Sequence, residues 1–252
     1  MTLLVGILCT DGVVIGADSM LTSSWGNQPL AHHSGKKIWT DEEWIFAYAG
    51  NTDIGHSIKY FVESHFKQPI QPQNDNFQFV KRLANSLSVN LLQIDQGVTA
   101  GLLAYHRDNS FFCTILNTIN RPFILDKDHF YQAMGSGQLG AEPFLIHLLD
   151  IFCDGKQPNV NIARFITTWV IEHVIATNAG GVAGPIRIAT INYNESDKIN
   201  INELKEGQID ESRDWVTKIK FDLQKWRDKT FFSKTSEDTG NSLESIVKKS
   251  DK

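Results

Sequence analysis

Apolar residues run through 3–9 and again through 13–17, separated by Thr10-Asp11-Gly12. Two short apolar runs about an Asp-Gly dipeptide predict a β-hairpin with its two-residue turn at Asp11-Gly12. That register pairs Asp18 with Val5 and sets Thr2 opposite Leu21. Residues 22–29 are rich in Ser, Gly, Asn and Pro and read as a loop. Residues 37–40 and 44–49 predict a second hairpin about Asp41-Glu42. Three- and four-residue spacings of Ile54, Ile58, Phe61, Val62 and Phe66, then of Val80, Leu83, Ala84, Leu87 and Leu91, predict helices over 51–67 and 77–94. Strands follow at 98–105 and 111–119 around Arg107-Asp108-Asn109-Ser110, with a shorter one at 130–134. Helical periodicity returns at 141–152 and 162–176, before a strand at 184–193. Strands joined by hairpins, with helices in pairs, give an α+β chain of antiparallel sheets carrying helices on their outer faces.

Beyond Glu203 the composition becomes charge-rich, and only 209–226 keeps a helical apolar stripe, at Ile209, Trp215, Ile219, Leu223 and Trp226. The expected organisation is one domain over 1–202, a helical extension over 203–232 and a disordered tail over 233–252. A chain of 252 residues, 41% hydrophobic and 21% charged, is large enough to bury a core and is globular in composition. Lys and Arg number 24 against 29 Asp and Glu, a net charge of -5, so no basic field gathers nucleic-acid phosphates. No apolar run approaches the roughly 20 residues of a membrane span. The apolar stretch at 3–8 is short and lacks a basic lead, so it reads as mature structure rather than a secretory signal. Cys9, Cys113 and Cys153 are scattered, which fits free thiols in a reducing cytoplasm and neither a disulfide framework nor a zinc site. His32-His33 has no acidic or Cys partner at ligand spacing and reads as a solvated loop feature. No cofactor or metal is expected.

Thr2 is the residue with chemical promise. Its small side chain favours removal of Met1, which would expose a free α-amine beside the hydroxyl. An amine with pKa near 7.7–8.0 accepts the hydroxyl proton, so one residue supplies nucleophile and base. In the register above, Asp18 lies roughly 10 Å along the neighbouring strand from the point opposite Thr2, too far to take that proton itself. A long cation such as Lys37 reaches both, and Asp18 in its apolar setting is costly to bury without such a partner.

These residues have a familiar order: Thr2-Leu-Leu-Val-Gly-Ile, Asp11-Gly-Val-Val-Ile-Gly-Ala-Asp18-Ser19, Gly35-Lys-Lys37-Ile and Phe46-Ala-Tyr-Ala-Gly50-Asn-Thr-Asp53, continued by Ala133-Met-Gly-Ser136-Gly and Ala179-Gly-Gly-Val182. Over about residues 2–193 the chain resembles the proteasome β-subunit family of N-terminal nucleophile (Ntn) hydrolases, the bacterial ring proteases included. The resemblance implies a four-layer α-β-β-α sandwich. It implies Thr2 as nucleophile, Lys37 (rather than Lys36) held by Asp18 to ease proton removal, Gly50 N–H facing the oxyanion, and Ser136 orienting the Thr2 amine. It also implies a substrate cleft lined by Met20, Leu21, Thr22 and Ala49, a peptide or unfolded-protein substrate, and self-association into a ring.

The chain departs from that pattern at Ala176-Thr-Asn-Ala179, where active members carry an Asp and a Ser before the Gly-Gly. A noncatalytic subunit of the same fold is therefore the competing expectation, and a small-molecule amidase fits the same chemistry. Gly135-Ser-Gly137-Gln-Leu-Gly140 matches the dinucleotide-binding spacing, but the helix after it leads to another helix, whereas that site requires a second parallel strand.

Overall fold

The computed structural model describes residues 2–25, 28–68, 76–91, 99–117, 122–177 and 181–232. Outside them lie Met1, the ends of the expected helix at 92–94 and strands at 98 and 118–119, Asn178 and Ala179, and the tail at 233–252. The first hairpin forms from β1 (Leu4–Leu8) and β2 (Gly12–Ala17), but Leu4 faces Ala17 and Leu8 faces Val13. The turn is Thr10-Asp11, closed by the Cys9 N–H donating to Gly12 O at 2.8 Å. A distant helix sets this register. Asp11 Oδ1 accepts the N–H of Val160 at 2.8 Å, at the start of α4 (Val160–Thr177), and Thr10 N–H donates to Pro158 O at 2.9 Å. Asp18 consequently faces Leu3, not Val5, and stands one residue from Thr2.

β3 (Met20–Trp25) and β4 (Gln28–Ser34) pair where the sequence predicts a loop. A two-stranded ribbon needs no alternating apolar face, so hydrophobic periodicity does not reveal it. The rest follows the pattern more closely. β5 (Ile38–Thr40) and β6 (Trp44–Ala49) form the second hairpin, and α1 (Thr52–Phe66) is capped by Asn51, whose side chain accepts the N–H groups of Asp53 and Ile54. After α2 (Asn76–Leu91), β7 (Ala100–Arg107) and β8 (Ser110–Asn117) turn at Asp108 and Asn109, both at positive φ. Short β9 (Phe123–Ile124), β10 (Tyr131–Met134) and α3 (Gln138–Cys153) precede α4, then β11 (Arg187–Tyr193) pairs with β12 (Ile199–Glu203). β9 and β12 are edge strands with one neighbour each, the positions least marked by an apolar signal.

Among the described residues two antiparallel five-stranded sheets result, ordered β10-β1-β2-β11-β12 and β5-β6-β7-β8-β9, besides the β3-β4 ribbon. Alternation along β6 shows how they share the core. Trp44, Phe46 and Tyr48 pack with Ile54 and Ile58 of α1 and Val80 and Leu83 of α2. The intervening Ile45, Ala47 and Ala49 join β1, β2, α3 and α4 in a second core. β6 is buried on both faces, which explains its continuous apolar sequence.

The chain divides into compact units at 1–212 and from Arg213 onward. In the second unit the C-terminal part of α5 (Glu206–Arg227) exposes Trp215, Phe221, Leu223 and Trp226, with Lys218 Nζ 5.5 Å from the Trp215 ring centre and Lys225 Nζ 4.3 Å from that of Phe221. No helix among the described residues is long and apolar enough to cross a membrane.

Candidate active site

Thr2 lies just before β1, and the pairing of Leu4 with Met134 brings it to the loop that follows β10. Its N–H donates to Ser136 Oγ at 3.0 Å, and its carbonyl accepts the Gly137 N–H at 3.2 Å. Between these contacts Gly135 adopts φ +91°, and a Cβ there would stand 2.3 Å from Thr2 O. Only glycine allows both that conformation and that approach. Gly135→Ala should therefore lower stability by about 3 kcal/mol, read as a fall of roughly 6–10 °C in thermal midpoint. The first glycine of the dinucleotide-like spacing thus serves close packing on Thr2, and α3 leads into α4 rather than into a strand.

Asp18 is fully buried. Its Oδ1 accepts the Leu3 N–H at 2.8 Å and Lys37 Nζ at 2.7 Å, while Oδ2 accepts the Met20 N–H at 3.1 Å and lies 3.5 Å from the Ala183 N–H. One carboxylate thus ties the residue after Thr2 to the start of β3, to the segment before β11 and to the residue before β5. Lys37 is as deeply buried, with its side chain 1% exposed. Burial pushes its ammonium below the ordinary lysine range, against the upward pull of the Asp18 charge and hydrogen bond. Lys36, one residue earlier, turns outward and meets Glu203 at 3.2 Å, and Glu203 also accepts Arg187 Nη1 at 2.8 Å. The two adjacent lysines therefore have opposite surroundings.

Thr2 opens onto a cleft of about 520 Å³ whose lining includes Ala49, Gly50, Gln132, Ser136 and Gln138. Gly50 has φ +120° and stands against Thr99, where a Cβ would come within 2.8 Å of the Thr99 Cα. Thr99 Oγ1 also accepts the Asn51 N–H at 3.2 Å, fixing the backbone as it leaves Gly50. The structure thus brings Thr2, Ala49, Gly50 and Ser136 to one cleft, while Asp18 and Lys37 are not among its lining and connect to it through the Leu3 N–H on Asp18 Oδ1. Met20, Leu21 and Thr22 are half-buried on β3 and are not among the described residues lining that cleft. In the late motif, Thr177 Oγ1 donates back to His173 O at 2.7 Å within α4.

Sequence reasoning did not single out Gln132, Met134 or Gln138. The strand alternation that sends Gln132 and Met134 to one face of β10 was available as a signal. The backbone donors of Leu3, Met20 and Ala183 on Asp18 carry no signature in side-chain identity.

No protein-family model matches this chain, and no curated protein does. Solved structures do. The fold is similar to that of Anbu. A Gly-1 mutant of Anbu from Hyphomicrobium sp. strain MC1 aligns over 90% of this chain and 100% of its own, with TM-score 0.65 and 14% sequence identity. Another structure of Hyphomicrobium Anbu gives 0.64 at 13% identity over 88% and 97% of the two chains. Anbu from Yersinia bercovieri, described as an ancestral beta-subunit, gives 0.64 at 12% identity over 88% and 96%. These likenesses establish a proteasome-like α+β fold with antiparallel sheets. They also correct the family assignment drawn from the motifs, because the structural neighbours are Anbu proteins, distinct from the bacterial proteasome β-subunits. Short motifs at Thr2, Asp18, Lys37 and Ser136 were not enough to separate one family of this fold from another.

Proposed function

We propose that this chain is a threonine-type amide hydrolase, a peptidase working in a self-associated ring, whose nucleophile is Thr2 Oγ after removal of Met1. The observation that carries the reading is the Thr2 nitrogen on Ser136 Oγ at 3.0 Å, in a cleft where the next residue, Leu3, donates its N–H to the buried Asp18 that holds Lys37. With Met1 gone, that nitrogen is an amine. Thr2 Oγ adds to the scissile carbonyl carbon, and its proton passes to the amine. Gly50 N–H donates to the oxyanion, a kind of contact whose removal costs about 3–4 kcal/mol of transition-state stabilisation. The C–N bond then breaks, and the leaving amine takes the proton from the Thr2 ammonium. Water cleaves the resulting ester by the same route and restores the hydroxyl. Lys37 contributes its positive field near the nucleophile, and Asp18 keeps that charge in place. Within this reading the layers form the α-β-β-α sandwich, with α3 and α4 outside the first sheet and α1 and α2 outside the second.

The Ala176-Thr-Asn-Ala179 segment favours a second reading, a noncatalytic subunit, since it places neither an acid nor a serine before Gly180-Gly181. One experiment separates the two. Intact mass of the purified protein should show loss of Met1, and a peptide epoxyketone, which needs both the hydroxyl and a free amine, should add to Thr2. A retained Met1 with no adduct would establish the noncatalytic subunit instead.

A further inference from the structure

The cleft at Thr2 does not end at Gln138. A second cavity of about 450 Å³ shares Ile115 and Gln132 with it and continues past Tyr131 to Asp128 and Glu142. The two are also joined by a hydrogen bond: Gln138 Nε2, on the first cavity, donates to Glu142 Oε2, on the second, at 2.8 Å. Asp128 is positioned by a closed turn, in which Asp126 Oδ1 accepts the N–H groups of Asp128 at 2.9 Å and His129 at 2.8 Å. The Asp126 N–H donates to His129 O at 3.1 Å and completes it. Among the described residues lining this cavity, Asp128 and Glu142 are acidic, His129 is the titratable base, and no Lys or Arg is present. Lys127 is exposed in the same turn and is not part of that lining.

Chemistry decides which end of a substrate reaches the cavity. The leaving amine must take its proton from the Thr2 nitrogen, which Ser136 holds, so the leaving group lies on the Ser136 side. β10 runs from that side into the second cavity. Gln132 is four residues before Ser136, at most roughly 13 Å away, the span of up to about three to four extended substrate residues. We propose that Asp128 and Glu142 form an acidic subsite for the leaving-group half of a peptide, selecting Lys or Arg two to four residues after the scissile bond. The assignment rests on Thr2 being the nucleophile.

The test uses internally quenched peptides that differ only by Lys or Glu at the second, third or fourth position after the scissile bond, with products identified by mass. The full-length protein should show a kcat/KM at least about fivefold higher for Lys than for Glu at one of these positions, a preference that shrinks in 0.5 M salt. Asp128→Lys should reverse the ratio, and Glu142→Gln, which keeps the acceptor for Gln138, should reduce it. The ratio is insensitive to the fraction of folded enzyme, so partial loss of protein does not mimic the effect. Hydrolysis of Lys and Glu peptides at equal rates, or a preference that survives both substitutions, would overturn the subsite and leave the Thr2 reading intact. No hydrolysis of any peptide together with no epoxyketone adduct would overturn both.

Discussion

Thr2→Ala is expected to abolish amide hydrolysis, a fall of at least about 10³-fold in kcat/KM, because among the described residues lining the cleft no other would combine a hydroxyl with an amine. Its thermal midpoint should move by no more than about 4 °C. The contacts that seat residue 2 run through its backbone, to Ser136 Oγ and from Gly137 N–H, and alanine retains both. Peptide turnover followed by fluorescence, with calorimetry on the same samples, checks both halves. Undiminished turnover by this variant would end the mechanism.

Lys37→Ala should be costly in two ways. It leaves Asp18 buried with its charge unpaired, which typically destabilises by about 3–5 kcal/mol. The three neighbouring N–H groups place this case near the lower end. Surviving folded protein should be nearly inactive, since the positive field beside the nucleophile is gone. Lys36→Ala removes a half-exposed contact to Glu203 and should change stability by less than about 1 kcal/mol and turnover by less than about twofold. The reverse order would place the functional lysine at 36.

The lowered pKa of Lys37 adds a pH signature. Between that lowered value and the ordinary lysine value of 10.5, the unfolded chain binds more protons than the folded one. The contribution of Lys37 to stability therefore rises with pH across this window. Activity should fall across the same window as the ammonium is lost, so the two profiles diverge in alkali.

How much of this was legible in the sequence depended on the range of the interactions involved. The helices over α1 and α4 and the hairpin of β5 and β6 were readable because their apolar periods are local consequences of burial. The first hairpin was readable in kind and wrong in register. Asp11-Gly12 has the local chemistry of a turn, yet Asp11 is engaged by Val160, a partner 149 residues away. The same two-position change altered the geometry of the candidate site, moving Asp18 from a distant neighbour of Thr2 to the residue that binds Leu3. Lys37 was readable as a long cation able to reach Thr2 and Asp18, but its choice over Lys36, and Ser136 altogether, came through resemblance, since nothing in their local sequence distinguishes a buried lysine from its exposed neighbour or a serine that accepts the Thr2 N–H from an ordinary loop hydroxyl. Gln138 and Glu142, one helical turn apart, are of types common on any exposed helix, and only the cavities they line set them apart.

The ties made by Asp18 bear on how a chain of this fold would lose its activity over evolutionary time. Selection for folding alone preserves Asp18 and Lys37, because discarding either strands a charge in the core. Thr2 and Ser136 sit at the edge of a cleft and carry no comparable penalty. Decay should therefore erode the first pair last, and descendants that have ceased to cleave anything would still display Asp18 and Lys37. Under the proposed mechanism, it is the joint presence of Thr2 and Ser136 in a comparison of relatives that would mark a living enzyme.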